Sequence, residues 1–111
     1  MTAPMSGPTT RLRACALSEL PTEGAIRVEL GGEPLCIARS QGEVFAVHDV
    51  CTHADISLSE GEVEDGTVEC WLHGSRFDLR SGKPTGLPAT RPVPTYPVTL
   101  EGDDVLVDVE T

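Results

Sequence analysis

Two short segments of this chain combine a cysteine with a histidine: Cys51-Thr52-His53 and Cys70-Trp71-Leu72-His73. Thiolate and imidazole are ligands that proteins use for iron–sulfur clusters, zinc and copper. Each segment offers one sulfur donor and one nitrogen donor, and residues 54–69 separate them. The pair of segments therefore predicts a metal centre with the ligands Cys51, His53, Cys70 and His73.

The order of the donors discriminates between the candidate metals. Zinc sites with two cysteines and two histidines usually place the cysteines together and the histidines after them, so the alternating order fits zinc poorly. An all-cysteine cluster would have to recruit Cys15 and Cys36, whose spacing does not suit such ferredoxins. Those two are predicted to be small buried hydrophobic side chains. The alternation matches a Rieske [2Fe–2S] centre, in which two histidines replace two cysteines on one iron.

The flanking sequence extends this match over almost the whole chain. From about residue 10 to residue 109 it resembles the small Rieske ferredoxins of bacterial aromatic-ring dioxygenase systems. Besides the ligand segments, the matching residues are Leu58-Ser59-Glu60-Gly61, Phe77-Asp78, Ser81-Gly82-Lys83, Pro88-Ala89, Pro92-Val93 and Tyr96-Pro97-Val98. The resemblance implies one [2Fe–2S] cluster, with the cysteines on the inner iron and the histidines on the outer iron, at an exposed tip.

The resemblance also implies roles for three residues beside the ligands. Ser75 matches a serine that donates a hydrogen bond to the cluster in respiratory-complex Rieske proteins. Pro88 belongs to a turn that resembles the proline-bearing loop packed over Rieske clusters. Trp71 stands where many relatives have proline, and its indole is either an exposed docking anchor or packed against the rest of the domain. Packing is the favoured interpretation.

Two departures from the respiratory proteins bear on the reduction potential. Their tyrosine near the cluster is replaced by Phe77, which has no hydroxyl, and Ile56 and Leu72 occupy the positions of their disulfide cysteines. Hydrogen bonds to the cluster sulfurs raise the potential. We therefore predict a potential toward the lower end of the Rieske range, which is roughly −150 to +300 mV.

Turn residues and alternating hydrophobic residues predict an all-β chain. The resemblance implies that it has the Rieske fold, an antiparallel sandwich or barrel base with an inserted cluster-binding subdomain at about residues 49–83. Residues 1–9 are predicted to be a disordered tail before a single domain spanning 10–111. The base strands are predicted at Arg11–Leu17, Ala25–Leu30, Pro34–Arg39, Glu43–His48, Tyr96–Glu101 and Asp104–Val109, and those of the subdomain at Thr67–Cys70 and Arg76–Leu79.

The composition favours a carrier over a catalyst. Two of the three histidines are assigned to the cluster, so only His48, a predicted surface residue at a strand end, remains for a mononuclear iron site, which needs two histidines and a carboxylate. The net charge of −10 argues against nucleic-acid binding. No apolar stretch approaches the roughly 20 residues that span a membrane. The absence of an export signal favours the reducing cytoplasm.

The resemblance implies that the protein carries an electron from a flavin-dependent, nicotinamide-oxidising reductase to a terminal oxygenase. Two alternatives remain: a carrier for another pathway, such as iron–sulfur assembly, or a module resembling the small subunit of assimilatory nitrite reductase. A monomer is expected, since the tip must meet two partners in turn. The acidic residues between the ligand segments would either steer a partner or only keep the protein solvated; they are Glu60, Glu62, Glu64, Asp65 and Glu69.

Overall fold

The computed structural model describes residues 9–51, 56–71, 74–86 and 89–110, and these residues form ten β-strands. The strands are β1 Thr9–Ala16, β2 Gly24–Leu30, β3 Glu33–Ser40, β4 Glu43–His48, β5 Val63–Glu64, β6 Thr67–Glu69, β7 Arg76–Asp78, β8 Thr95–Tyr96, β9 Val98–Glu101 and β10 Asp104–Glu110. The helices of the described residues are two single 3-10 turns, Leu17–Glu19 and Leu58–Glu60. The all-β prediction is confirmed. Within the described residues, no helix has the length and apolar character needed to cross a membrane.

The strands form three antiparallel sheets. The first has the order β1-β10-β9, the second β2-β3-β4-β8 and the third β5-β6-β7. The first two sheets are the predicted base, and the third is the predicted cluster-binding subdomain, inserted between β4 and β8. The main base strands, β1–β4 and β10, have six to eight residues, whereas the strands of the subdomain have only two or three. The base strand β8 is also short, and the β1–β10 register shifts between Arg13 and Cys15.

The second sheet is the middle layer, because its central strand is buried on both faces. Residues 35–38 of β3 are all fully buried, and side chains of a strand alternate between the faces of its sheet. Leu35 and Ile37 belong to a core that also contains Val105 and Val107 of the first sheet. Cys36 and Ala38 belong to a second core with residues of the subdomain. One strand therefore supports both halves of the molecule.

The β2–β3 hairpin of the base turns at a pair of glycines. Gly31 and Gly32 have φ angles of 59° and 83°, the left-handed conformation that a two-residue turn between twisted strands requires. β2 and β3 pair across this turn, from Leu30 with Glu33 to Gly24 with Arg39. In β10 the alternate residues Val105, Val107 and Val109 are buried, as the hydrophobic alternation predicts.

The predicted strand Tyr96–Glu101 is wrong as one element. β8 pairs with β4 in the second sheet, and β9 pairs with β10 in the first sheet, so the chain changes sheets at Pro97. Proline has no N–H to donate to a strand ladder, which suits the position of that change.

The short strand β5 was not predicted. β1 begins at Thr9, so the predicted tail reaches one residue too far, and its residues 1–8 lie outside the described residues.

Two contacts outside the ligand segments join the subdomain to the base. The Glu23 carboxylate accepts hydrogen bonds from the Ser40 hydroxyl and the Gln41 N–H, and Ser40 Oγ accepts the N–H of Gly66 in the β5–β6 turn at 2.8 Å. Chiefly because of the Ser40 hydroxyl, the pKa of Glu23 lies below its ordinary value. At the second contact, the Arg80 guanidinium lies over the Phe45 ring, 5.3 Å from its centroid.

Candidate metal centre

The first ligand loop begins directly after β4. The Cys51 N–H donates to the Ile56 carbonyl at 2.9 Å, and the Leu58 N–H donates to the Asp49 carbonyl at 3.4 Å. These bonds join the described residues on either side of residues 52–55. The predicted ligand His53 lies outside the described residues.

The second ligand loop begins directly after β6 and is closed in the same way. The Cys70 N–H donates to the Ser75 carbonyl at 2.6 Å, and the Gly74 N–H donates to the Cys70 carbonyl at 2.9 Å. Gly74 adopts a φ of 75°, which a side chain would disfavour. The predicted ligand His73 lies outside the described residues. Both cysteines thus donate their N–H to the carbonyl five positions later, each at the neck of a short loop.

The structure brings the two predicted cysteine ligands together. Cys51 and Cys70 are buried in the same core cluster, with Leu58 and Phe77 among its other members. They lie on different loops, one after β4 and one after β6, so only the tertiary fold places them in one core. Two buried thiols in one core have the chemistry that the sulfur half of a Rieske ligand set requires.

The remaining cysteines are buried inside the base strands. Cys15 lies in β1 and packs in the core shared by the first two sheets, and Cys36 lies in β3. Burial raises the pKa of the Cys15 thiol and, more strongly, that of the Cys36 thiol. A thiol with a raised pKa resists the deprotonation that metal binding requires. These environments fit the predicted role of buried hydrophobic side chains.

Ser75 is buried and connects the second ligand loop to the chain beyond β7. Its Oγ accepts the Ala89 N–H at 3.1 Å. A hydroxyl that accepts one hydrogen bond still has its proton to donate, so Ser75 is suited to donate to a cluster sulfur atom. Pro88, the other residue assigned to this side of the cluster, lies outside the described residues.

Trp71 contradicts the packing interpretation. Its side chain is 52% exposed, one of two exposed large hydrophobic residues among those described; the other is Leu100. Trp71 directly follows Cys70, whose N–H and carbonyl are both used to close the loop. The backbone therefore holds the residue while the indole faces solvent.

His48 ends β4, as predicted, and is partly exposed. Its Nδ1 lies 3.8 Å from Glu33 Oε2, and its N–H donates to the Pro94 carbonyl at 2.9 Å. These contacts connect His48 to the base sheets.

The acidic residues between the ligand segments are partly neutralised by a residue of β7. Arg76 Nη2 lies 3.8 Å from Glu64 Oε1 and 3.7 Å from Glu69 Oε2. The side chains of Glu60, Glu62 and Asp65 are exposed. Arg76 therefore offsets part of the field of Glu64 and Glu69, and the unpaired negative charge of this surface lies at the exposed residues.

Sequence reasoning missed the polar contacts that hold the first ligand loop. Asp49, immediately after β4, is fully buried, and its carboxylate accepts the Ser59 N–H at 2.7 Å and the Ser59 hydroxyl at 2.9 Å. Arg27 of β2 donates to the same carboxylate at 3.2 Å and to Ser57 Oγ at 2.8 Å. An aspartate next to a strand usually marks a turn, so no signal in the sequence distinguishes Asp49 from a surface residue.

These residues fit a Rieske cluster. The described part of the site supplies two buried thiols, a buried hydroxyl with a proton to donate, and two loops closed by backbone hydrogen bonds. When bound, such a cluster accepts and releases one electron. Cys51 and Cys70 would supply sulfur donors to it from a buried position that excludes water.

Known proteins agree with this description. Residues 10–97 match the family model of the Rieske [2Fe-2S] domain. The biphenyl 2,3-dioxygenase ferredoxin component of Rhodococcus jostii (strain RHA1) is 48% identical over 98 residues, which are 88% of this chain and 92% of that protein.

Solved structures extend the comparison to the fold. A chain in the complex of reduced oxygenase and oxidized ferredoxin of carbazole 1,9a-dioxygenase has a TM-score of 0.84 at 34% identity, covering 90% of this chain and 94% of that one. A protein described as a nitrite reductase (NADPH) small subunit has a TM-score of 0.77 at 25% identity, covering 88% and 97%. The chain therefore belongs to the Rieske [2Fe-2S] family and is an electron-carrying ferredoxin whose cofactor is a [2Fe–2S] cluster.

Proposed function

We propose that this ferredoxin carries one electron from a flavin-dependent NAD(P)H reductase to a terminal ring-hydroxylating oxygenase. The observation that carries the proposal is the pair of matched loops, each closed by the N–H of a buried cysteine, in a chain 48% identical to a dioxygenase ferredoxin component. The ferredoxin and oxygenase of carbazole 1,9a-dioxygenase form a solved complex, which supports an oxygenase as the acceptor. The reductase is inferred from the chemistry of such a chain of carriers.

The proposed ligands are Cys51, His53, Cys70 and His73. The cysteines are buried at the necks of the loops, and each histidine is two or three positions further on. This order supports sulfur donors on the inner iron and nitrogen donors on the outer iron. Neutral imidazoles remove two negative charges relative to four thiolates, so the cluster accepts an electron at a higher potential than an all-cysteine cluster does.

Alanine variants of the cysteines test the ligand set, because the chain offers matched controls. We expect Cys51→Ala and Cys70→Ala to lose the cluster, measured as iron and acid-labile sulfide per chain. Cys15→Ala and Cys36→Ala remove equally buried thiols and should retain full cluster content. His53→Ala and His73→Ala should abolish the EPR signal characteristic of a Rieske centre. Loss of the cluster from Cys36→Ala, or its retention in Cys51→Ala, contradicts the assignment.

Trp71 is the proposed docking residue of the tip. A large aromatic side chain, half exposed beside a ligand loop, resembles the residues that contribute most to protein interfaces. We expect Trp71→Ala to lower the second-order rate constant for electron transfer to the oxygenase about 5- to 30-fold, which corresponds to about 1–2 kcal/mol. The control is Leu100→Ala, because Leu100 is similarly exposed but lies on β9. Equal effects of the two variants would contradict docking through Trp71.

A second candidate function is that of a nitrite reductase small subunit, which the structural similarity to such a protein favours. The two functions differ in the acceptor. The reduced ferredoxin, mixed with an aromatic-ring oxygenase or with a nitrite reductase large subunit, should be reoxidised faster by the oxygenase. Faster reoxidation by the nitrite reductase would reverse the assignment.

We place the protein in the cytoplasm, because none of its four cysteines forms a disulfide and disulfides are rare in cytoplasmic proteins.

A further inference from the structure

The Asp49 carboxylate accepts three hydrogen bonds from described residues. Its Oδ1 accepts the Ser59 N–H, and its Oδ2 accepts both the Ser59 hydroxyl and the Arg27 guanidinium. Arg27 and Asp49 thus form an ion pair at 3.2 Å. A buried charge of this kind is costly unless it is paired and hydrogen-bonded, and Asp49 is both.

The same residue joins three parts of the molecule at the start of the first ligand loop. Its N–H donates to the Pro34 carbonyl at 3.0 Å, at the start of β3. Its carbonyl and its carboxylate bind the N–H groups of Leu58 and Ser59, which follow the loop. Arg27 of β2 donates to the same carboxylate, so β2 is also joined to this site. Both ends of the loop that starts at Cys51 are thereby attached to the base.

The two charges of the pair differ in their exposure to solvent. The Asp49 side chain is fully buried, whereas the Arg27 side chain is 45% exposed. Water screens an exposed charge more strongly than a buried one, so the field inside the core is dominated by the carboxylate. Asp49 lies two positions before Cys51, which is buried in one core with Cys70.

We propose that Asp49 and Arg27 are positioning residues that fix the first ligand loop and tune the reduction potential of the cluster in opposite directions. The inference rests on Cys51 being a ligand. An added electron is disfavoured by a nearby buried negative charge, so Asp49 lowers the potential. Arg27 offsets part of that effect. The pair therefore sets the potential through charge, and its hydrogen bonds hold the loop in place.

The experiment measures the reduction potential of loaded protein by voltammetry, together with cluster content and urea unfolding. We expect Asp49→Asn to raise the potential and Arg27→Gln to lower it. Arg27→Lys keeps the charge and should stay close to wild type. Ser57→Ala, the control, removes a hydrogen bond of Arg27 without changing any charge and should leave the potential unchanged. A purely structural role would lower stability in both charge variants without opposite shifts of potential.

Shifts of the same sign in Asp49→Asn and Arg27→Gln, or no shift in either, would overturn the proposal. If Asp49→Asn does not retain the cluster, the comparison of Arg27→Gln with Arg27→Lys decides the question, since Arg27 is on the surface side of the pair. A potential that is lowered in Arg27→Gln but not in Arg27→Lys supports the charge effect. Equal potentials of these two variants reject it. Failure of the ligand assignment is recognised separately, as cluster retention in Cys51→Ala.

Discussion

The base and the cluster-binding subdomain are stabilised by different means. In the base, β1 and β3 have eight residues each and β10 has seven; β3 pairs with both neighbours without a shift, and β1 pairs with β10 with one shift between Arg13 and Cys15. In the subdomain, β6 and β7 have three residues each. There the order comes from loop closure, from close backbone approaches and from the contacts of Asp49, Gly66 and Arg80 with the base. The difference shows that a fold can separate the element that gives stability from the element that carries chemistry.

Removing the cluster should destabilise the cluster-binding subdomain much more than the base. Without it, the ligand loops lose the bonds that hold them together, because metal binding and local folding are coupled. We expect the backbone amides of β6 and β7 to exchange about a hundredfold faster, corresponding to about 3 kcal/mol of local opening free energy. Amides of β3 and β10 should change little. Hydrogen exchange measured by mass spectrometry tests this, and a uniform loss of protection would remove the distinction between the regions.

Truncating the base core should produce the opposite pattern. Ile37 is fully buried on the face of β3 that packs against the first sheet. Ile37→Ala leaves a cavity and should lower the free energy of unfolding by about 2–5 kcal/mol, measured by urea denaturation. Because the cavity faces away from the ligand loops, the reduction potential should stay at the wild-type value. A shifted potential would mean that the middle sheet transmits changes in packing to the cluster.

A glycine in the subdomain tests the importance of close backbone contact. A Cβ on Gly61 would lie 1.6 Å from the Glu69 carbonyl oxygen, so the 3-10 turn and β6 would have to move apart. We expect Gly61→Ala to cost about 1–3 kcal/mol of stability, the usual range for overpacking. Gly86→Ala is the control, since a Cβ there meets no atom within 4 Å. Similar thermal stability of the two variants would show that the subdomain tolerates a displacement of the 3-10 turn from β6.

The sequence predicted the features that depend on local or family signals. The pair Gly31-Gly32 between β2 and β3 is a local turn signal, the alternating valines of β10 are a local signal of a buried face, and the cysteine–histidine segments located the site. It could not predict features that depend on distant partners. The sheet change at Pro97 requires knowledge of both neighbouring strands, and the exposure of Trp71 depends on how its loop lies against the base. Asp49 became identifiable only when folding brought Arg27 and Ser59 to it, from residues on either side in the chain.

The smallest expected effect concerns the junction between the regions at Glu23. Its pKa is lowered, chiefly by the Ser40 hydroxyl and also by backbone N–H groups. A carboxylate with a lowered pKa in the folded state stabilises the fold above its unfolded pKa of about 4.3, and the contribution disappears as the pH falls through the folded value. Glu23→Gln should therefore be less stable than wild type near pH 7, and the difference should decrease below about pH 4.

Urea unfolding at both pH values measures this difference, and Ser40→Ala gives an independent check. Ser40 bridges the Glu23 carboxylate and the Gly66 N–H of the subdomain, so removing its hydroxyl breaks the same junction from the other side. In the Ser40→Ala background, Glu23→Gln should then have a smaller effect on stability at pH 7. Hydrogen exchange should show the loss at the β5–β6 turn before it appears in β3. A difference that is constant from pH 3 to pH 7 would mean that the ionised form of the Glu23 carboxylate does not stabilise this junction.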